Sequence, residues 1–329
     1  MTPVRICVVG AGAIGGWLAA RLALAGETVS VLARGATLQQ LATTGIELRS
    51  GGKRDVVPVR AAASAAELGP QDVVLVTVKA PSLPAIAPSL QPLLHEKTLV
   101  LSASNGLPWW YFLAPGQPCS GLRLHSVDPR GEAERALPLP HVLGLSVFAA
   151  CHCPQPGVVQ HDSGGRLVLG EPGGGRSERA DALAQRLQAA GLDAQTSDDI
   201  RQDVWLKLLG NACFNPVSLL TGATTDEMID DPDLHALFVR MMEEVLGIGG
   251  RLGLRRDIEP ERRIAQSRQL GRIKTSMLQD LEAGRPVEVE AILGTLLECA
   301  AAVAMPVPTL AGVRALARLR ARHAGLPAC

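Results

Sequence analysis

Residues 205–215 are apolar almost all round except at Lys207, Asn211 and Asn215. Spaced i, i+4, i+8, these three share one narrow stripe of a helix that should otherwise be buried. A lysine inside a core is expensive. It either snorkels to the surface or faces a cleft where a ligand meets it, and the two asparagines above it favour the cleft. A stripe that is cationic at one end and amide along its length suits a small polar, anionic or carbonyl-bearing substrate. An ammonium group placed there can stabilise an oxyanion formed at a carbonyl and deliver its proton.

The second chemical signal is Gly10-Ala11-Gly12-Ala13-Ile14-Gly15. A lone glycine triplet is weak, but this one lies between a strand candidate at 4–9 and a helix candidate at 17–25, with another strand candidate at 28–32. That is the start of a βαβ unit, the context in which the motif binds a dinucleotide. Gly10 allows the tight turn, Gly12 lets the backbone approach a pyrophosphate, and Gly15 lets helix and strand pack closely. The helix N-terminus then offers unpaired N–H groups to the phosphates. An NAD site usually has an acidic residue after the second strand. Here Arg34 follows Leu32-Ala33, and a guanidinium can clamp a 2′-phosphate with two hydrogen bonds. The expectation is NADP (NADPH).

Other candidates carry both a structural and a functional reading. Ser276 and Gln279 fit a capping box, and a serine at a helix start can also hold a carboxylate. Pro286 suits a first helical position, which puts Glu288 in the first turn, where an anion is stabilised anyway; spacing alone makes Glu288 structural. Cys151 and Cys153 flank His152, but no second pair at zinc-site spacing follows, so no metal is expected. His125, His141, His161 and His235 have no clear partner in sequence.

The elements that must position these residues fall into two regions. Up to residue 198, strand candidates at 4–9, 28–32, 46–49, 55–60, 72–78, 98–102, 142–148, 158–161, 166–169 and 193–196 alternate with helices, as in a Rossmann-type α/β domain. The run 170–175 is the strongest linker or turn signal. From 199 to 329 strand patterns vanish and helices are expected at 200–214, 234–247, 276–283, 286–304 and 309–322. The chain has 329 residues, a length natural for two domains, with 47% apolar and 19% charged residues, which excludes wholesale disorder. Lys plus Arg is 32, Asp plus Glu is 32, and aromatics are 3%. That balance argues against nucleic acid or an anionic membrane as partner. Seven scattered cysteines fit reduced thiols in a cytosol. The N-terminus does not read as a signal peptide, and no run is long and apolar enough to span a membrane.

With these pieces assembled, the chain resembles the ketopantoate reductase (2-dehydropantoate 2-reductase) family, or a paralogous branch of it. The likeness rests on 8–15, on Val76-Thr77-Val78-Lys79-Ala80 and on Asn105-Gly106. It continues through Trp205-Leu206-Lys207-Leu208 with Asn211 and Asn215-Pro216, and through 276–280 followed by Gly284-Arg285-Pro286 and Glu288. The resemblance implies NADPH-dependent reduction of a 2-oxo acid (2-dehydropantoate to pantoate, or a relative) between two domains. It makes Lys207 the general acid and Lys79 a coenzyme contact. Asn105 would stand near nicotinamide and substrate, Asn211 and Asn215 would hold the substrate hydroxyl, and Ser276 its carboxylate. Glu288 would complete the site, against the spacing-only reading. Some positions depart from the family pattern. The run 107–112 is aromatic, the loop 221–226 lacks a further asparagine, and Glu290 and Leu293 replace a common aspartate and asparagine. These departures suggest a less polar or bulkier substrate, an oxo or β-hydroxy acid. The rival of another class is an NADP(H)-binding sensor without turnover, against which the retained proton donor argues. A monomer and a homodimer are both compatible with the apolar C-terminal helices.

Overall fold

The computed structural model describes residues 3–254, 258–269 and 271–327. The chain divides into two compact units, Met1–Ser104 with Arg130–Asp203, and Asn105–Pro129 with Val204–Cys329.

The first unit is built on a mixed sheet. Its strands are β1 (Arg5–Val9), β2 (Thr28–Leu32), β3 (Ile46–Ser50), β4 (Lys53–Val57), β5 (Arg60–Ala62), β6 (Val73–Val76), β7 (Leu99–Ser102), β8 (Val142–Gln155), β9 (Val158–Gly170) and β10 (Asp193–Thr196). The order is β4-β3-β9-β8-β7-β6-β1-β2-β5, with β10 also pairing β9. From β5 to β8 the neighbours are parallel. Chain order therefore reverses at β1, which lies between β2 and β6: the switch point of a doubly wound sheet, outside whose carboxyl ends ligands bind. The helices are α1 (Ala13–Leu24), α2 (Gly35–Thr43), the single turns α3 (Ala65–Leu68), α4 (Leu83–Ile86) and α5 (Glu132–Ala136), and α6 (Glu178–Ala189). Helix α1 is apolar except at Arg21 and packs into the core: Trp17, Leu18 and Leu22 are enclosed, each burial contributing roughly 1.5–3 kcal/mol.

Two sequence expectations change here, and a third is narrowed to one of its alternatives. The strand expected over 55–60 is two strands. Pro58 lies between β4, which pairs β3 antiparallel, and β5, which pairs β2 parallel, because proline cannot supply a ladder N–H. The strands expected at 158–161 and 166–169 are one strand, β9. Its first half pairs β3 and its second half β10, with register shifts against β8 near Gly164. The glycine run 173–175 is a turn inside this unit, closed by Gly174 N–H to Glu171 O and Gly175 N–H to Asp198 O.

Helix α7 (Ile200–Thr221) crosses the boundary at Asp203, and the elements that follow it are helical: α8 (Thr225–Asp230), α9 (Pro232–Arg251), α10 (Pro260–Arg268), α11 (Ser276–Glu282), a π turn at Glu290–Gly294, α12 (Thr295–Ala302) and α13 (Pro308–His323). Helix α7 continues past the expected end at 214, with Pro216 inside it. Proline there removes only one helical bond, the one to the carbonyl of Ala212, and the buried flanks hold the helix together. Helix α9 opens with Asp231 accepting from the N–H groups of Asp233 and Leu234, and with proline at its first position, a strong start. It buries Phe238, Met241, Met242, Val245 and Ile248, and Phe238 meets Phe214 of α7 edge-on at 4.8 Å.

The segment 105–129, assigned from sequence to the first domain, belongs to the second unit. The carboxylate of Glu298 in α12 accepts the N–H groups of both His125 and Ser126, each at 2.7 Å. The aromatic run corrects a second expectation. Leu107, Trp110, Tyr111 and Phe112 are fully enclosed, and Trp109 nearly so. Tyr111 packs against Phe112 at 4.8 Å and Trp205 at 6.4 Å. These rings are enclosed core of the helical unit rather than exposed apolar surface.

Candidate active site

In the second unit the polar stripe of α7 meets two residues from distant parts of the chain. Asn211 Nδ2 donates to Asn105 Oδ1 at 3.4 Å, and Asn105 Nδ2 donates to Glu288 Oε2 at 3.2 Å. Glu288 is buried, 7% exposed. Its charge acts on the ammonium of Lys207, one turn before Asn211. Lys207 keeps partial exposure as a residue, yet loss of solvent around its ammonium outweighs the attraction of Glu288 and brings its pKa from 10.5 down to about 8. That is the environment of a lysine able to give up a proton near neutrality. Asn215 continues the stripe and is buried, 6% exposed.

The backbone explains how Glu288 gets there. Glu288 is not in the first turn of a helix beginning at Pro286. Val287 N–H bonds Pro327 O, which keeps 286–287 extended, and the first helical bond runs from Ile292 N–H to Glu288 O. Glu288 is thus the cap residue. Ser276 also differs from expectation. The helix cap is Thr275, whose Oγ1 accepts from Leu278 N–H at 3.3 Å. Ser276 is the first helical residue and is exposed, and Gln279 Nε2 donates to Lys274 O.

In the first unit the glycine motif lies at the switch point. Gly10 follows β1 with φ +95°, and a Cβ there would press on Val78. A Cβ on Gly15 would collide with the carbonyl of Gly10 and the hydroxyl of Thr77. Thr77 Oγ1 ties the two loops together, donating to Gly10 O at 2.5 Å and Val9 O at 3.1 Å. In the sequence Thr77 stands only within the 76–80 motif and carries no signal of this bridging role. Gly12 caps α1 without a side-chain hydrogen bond and has open space around it. Uncapped N–H groups beside open space, with Ala11, Ala13 and Ile14 completing the turn, could take a pyrophosphate. Arg34 is exposed at the start of α2, two residues past β2, and the first turn of α2 holds no acidic residue. That absence and that charge are compatible with a 2′-phosphate. Lys79 is half-buried three residues past β6.

Cys151 and Cys153 pack against the core of the sheet unit. Burial and neighbouring charge push the Cys151 thiol up to about 12, the opposite of a reactive thiolate. Among the described residues no cluster of metal-ligating side chains occurs, and no helix is long and apolar enough to cross a membrane.

Comparison with known proteins gives concordant matches. The family described as Ketopantoate reductase PanE/ApbA matches residues 6–111, and Ketopantoate reductase PanE/ApbA C terminal matches residues 199–321. The 2-dehydropantoate 2-reductase of Mesorhizobium japonicum is 45% identical over 323 residues, 98% of this chain and 99% of that protein. A crystal structure of a Ralstonia solanacearum MolK2 protein superposes with a TM-score of 0.95 at 48% identity, covering 99% of this chain and 100% of that one. The structure of 2-dehydropantoate 2-reductase from Methylococcus capsulatus does so with a TM-score of 0.82 at 29% identity, covering 98% and 99%.

Proposed function

The chain belongs to the ketopantoate reductase family, whose named members are oxidoreductases of the CH–OH group, and from that premise we propose that it reduces 2-dehydropantoate to pantoate with NADPH. The observation that carries the reading is the chain Asn211–Asn105–Glu288 beside a desolvated Lys207.

In this reading the first unit holds the coenzyme and the second the substrate. Gly10, Ala11, Gly12, Ala13, Ile14 and Gly15 would take the pyrophosphate, Arg34 the 2′-phosphate, and Lys79 and Asn105 the nicotinamide half. When bound, the coenzyme supplies the hydride. Lys207 Nζ donates its proton to the carbonyl oxygen as negative charge builds there, and is left as a neutral amine that solvent reprotonates. With a pKa of about 8 the amine is mostly charged at neutral pH, so the proton is in place before reaction. Glu288 opposes desolvation and keeps that charge from being lost. Asn105, oriented by its bond to Glu288, has a second amide hydrogen left for the substrate. Asn211 and Asn215 hold the substrate hydroxyl, and Ser276 its carboxylate. The free thiols among the described residues support a cytosolic setting.

The test follows NADPH absorbance with 2-dehydropantoate and a panel of other 2-oxo acids, in wild type and Lys207→Ala. The expected result is the highest kcat/KM for 2-dehydropantoate and loss of turnover in Lys207→Ala with NADPH still bound. Undiminished turnover in the variant removes Lys207 as the acid. A better substrate in the panel replaces 2-dehydropantoate. Tight NADPH binding with no carbonyl reduced at all favours a sensor.

A further inference from the structure

Asn105 is held in place by a contact that involves none of the residues assigned above. Gly106 follows it with φ +82°, and a Cβ at that position would run into the carbonyl of Ala291. The next N–H, that of Leu107, donates to the same carbonyl at 3.3 Å. This carbonyl can receive it because the helix is locally wound as a π turn. The Thr295 N–H reaches back to Glu290 O, bypassing Ala291. Thr295 Oγ1 binds the Ala291 carbonyl instead, at 2.8 Å, and that of Ile292 at 3.2 Å. In an ordinary α-helix the Thr295 N–H would occupy Ala291 O, where Gly106 and Leu107 now approach. Single π turns are uncommon and recur at functional sites. This one begins two residues after Glu288, so the Ala291 peptide joins the turn carrying Asn105 to the turn carrying Glu288.

We propose that the π turn at Glu290–Gly294, keyed by Gly106 and Thr295, is a positioning device that sets the Asn105–Glu288 contact and, through it, the placement of the Lys207 ammonium. Gly106 and Thr295 are positioning residues for the proton transfer; the inference rests on Lys207 being the proton donor. Glu288 is a charged group that acts on Lys207. From α10, the Arg263 guanidinium stands against Gly210 of α7 and acts on Cys213. Displacing Glu288 therefore removes support for the charge on Lys207.

The experiment compares Gly106→Ala, Thr295→Val and Thr295→Ser with wild type and Lys207→Ala. Valine keeps the shape of threonine and loses the hydroxyl; serine keeps the hydroxyl. The expected kcat falls about 10²-fold in Gly106→Ala and about tenfold in Thr295→Val, the scale of a small misplacement of reacting groups. The alkaline limb of kcat/KM moves to lower pH in both, and Thr295→Ser restores rate and limb. A merely structural role would lower yield or Tm and leave the limb in place. The inference is overturned if folded Gly106→Ala and Thr295→Val keep the wild-type kcat and limb while Lys207→Ala is inactive. It is equally overturned if serine is as impaired as valine. Turnover surviving in Lys207→Ala sinks the lysine assignment itself. Should Gly106→Ala not fold, the Thr295 pair decides alone.

Discussion

Helix α1 and residues 205–215 of α7 are both apolar almost all round, and each is interrupted on one face. In α1 the interruption is glycine, at Gly15 and Gly16, where a Cβ would strike Gly10, Thr77 and Val159. In α7 it is the polar series Lys207, Asn211 and Asn215. The first works by what is missing, since backbone can come close only where no side chain intervenes. Its cost is conformational, about 1 kcal/mol per helical glycine relative to alanine, and does not depend on pH. The second works by what is present, an ammonium taken partly out of water. Its cost is electrostatic and therefore changes with pH. Substitutions in the two helices should accordingly fail in different ways.

The largest effect is expected at Lys207. Lys207→Met should lower kcat by about 10²–10⁴-fold, the usual worth of a general acid, with NADPH affinity unchanged by titration calorimetry. The same change should stabilise the fold. A lysine whose folded pKa is about 8, against an ordinary 10.5, binds protons less readily when folded than when unfolded. Its penalty is fully present below about pH 8 and fades as pH rises through 10.5. Removing it should add up to about 3 kcal/mol near neutral pH, and the gain should vanish at high pH. Thermal melts of both proteins across pH check the sign. A variant less stable than wild type at pH 6 would contradict the desolvated placement of the amine.

Gly15→Val should be the next largest and of the opposite kind. Its side chain must displace the Gly10 carbonyl or the Thr77 hydroxyl, an overpacking of roughly 1–3 kcal/mol. NADPH affinity should fall about 10- to 100-fold, while the alkaline limb of kcat/KM stays where wild type has it. Saturating NADPH should recover most of kcat. A variant with normal NADPH affinity would show that the close approach at Gly15 is irrelevant to the coenzyme.

How far each region was legible in sequence follows the same division. The glycine turn was readable because the requirement is local: strand, turn and helix within 30 residues, each with its own signal. The α7 stripe was readable because helical periodicity alone places 207, 211 and 215 together. The meeting of Asn105 with Glu288, 183 positions apart, has no local signal; the family resemblance names each for the site, but not their contact. Spacing misplaced Glu288, since a proline at 286 looks like a helix start unless the extended bond from Val287 to Pro327 is known. Thr275 and Ser276 are adjacent potential caps, and only the backbone direction chooses between them. The segment 105–129 reads like continuation of the α/β region because what binds it to the helical unit, Glu298 on the N–H groups of His125 and Ser126, is again distant in sequence. The π turn has no sequence signature at all.

Arg34→Asp sharpens the comparison on the coenzyme side. A carboxylate in place of an exposed guanidinium at the start of α2 would repel a 2′-phosphate and accept ribose hydroxyls. The ratio of kcat/KM for NADPH to that for NADH should fall by about tenfold or more. The change in kcat at saturating coenzyme should be small, because in the proposed reading Arg34 contacts only the 2′-phosphate and Lys207 supplies the proton. An unchanged ratio would remove Arg34 as the selector and leave the coenzyme preference to other groups.

The smallest shift, and the one that separates the two units most cleanly, is expected in the pH dependence of Glu288→Gln. Glutamine keeps an oxygen for Asn105 Nδ2 but removes the negative charge that supports Lys207. With that attraction gone, desolvation of the ammonium is less opposed, so its pKa should fall below about 8. If Lys207 is the proton donor proposed above, the reaction needs it protonated, hence the alkaline limb of kcat/KM, which reports the free enzyme, should move toward acid. At pH 6 the variant should approach its own best rate, and above pH 8 it should fall off sooner than wild type. Neither Gly15→Val nor Arg34→Asp should move this limb, because neither changes the charge beside Lys207. A limb that stays in place or moves toward alkali in Glu288→Gln would mean that another group titrates there, and that the carboxylate serves Asn105 rather than the lysine.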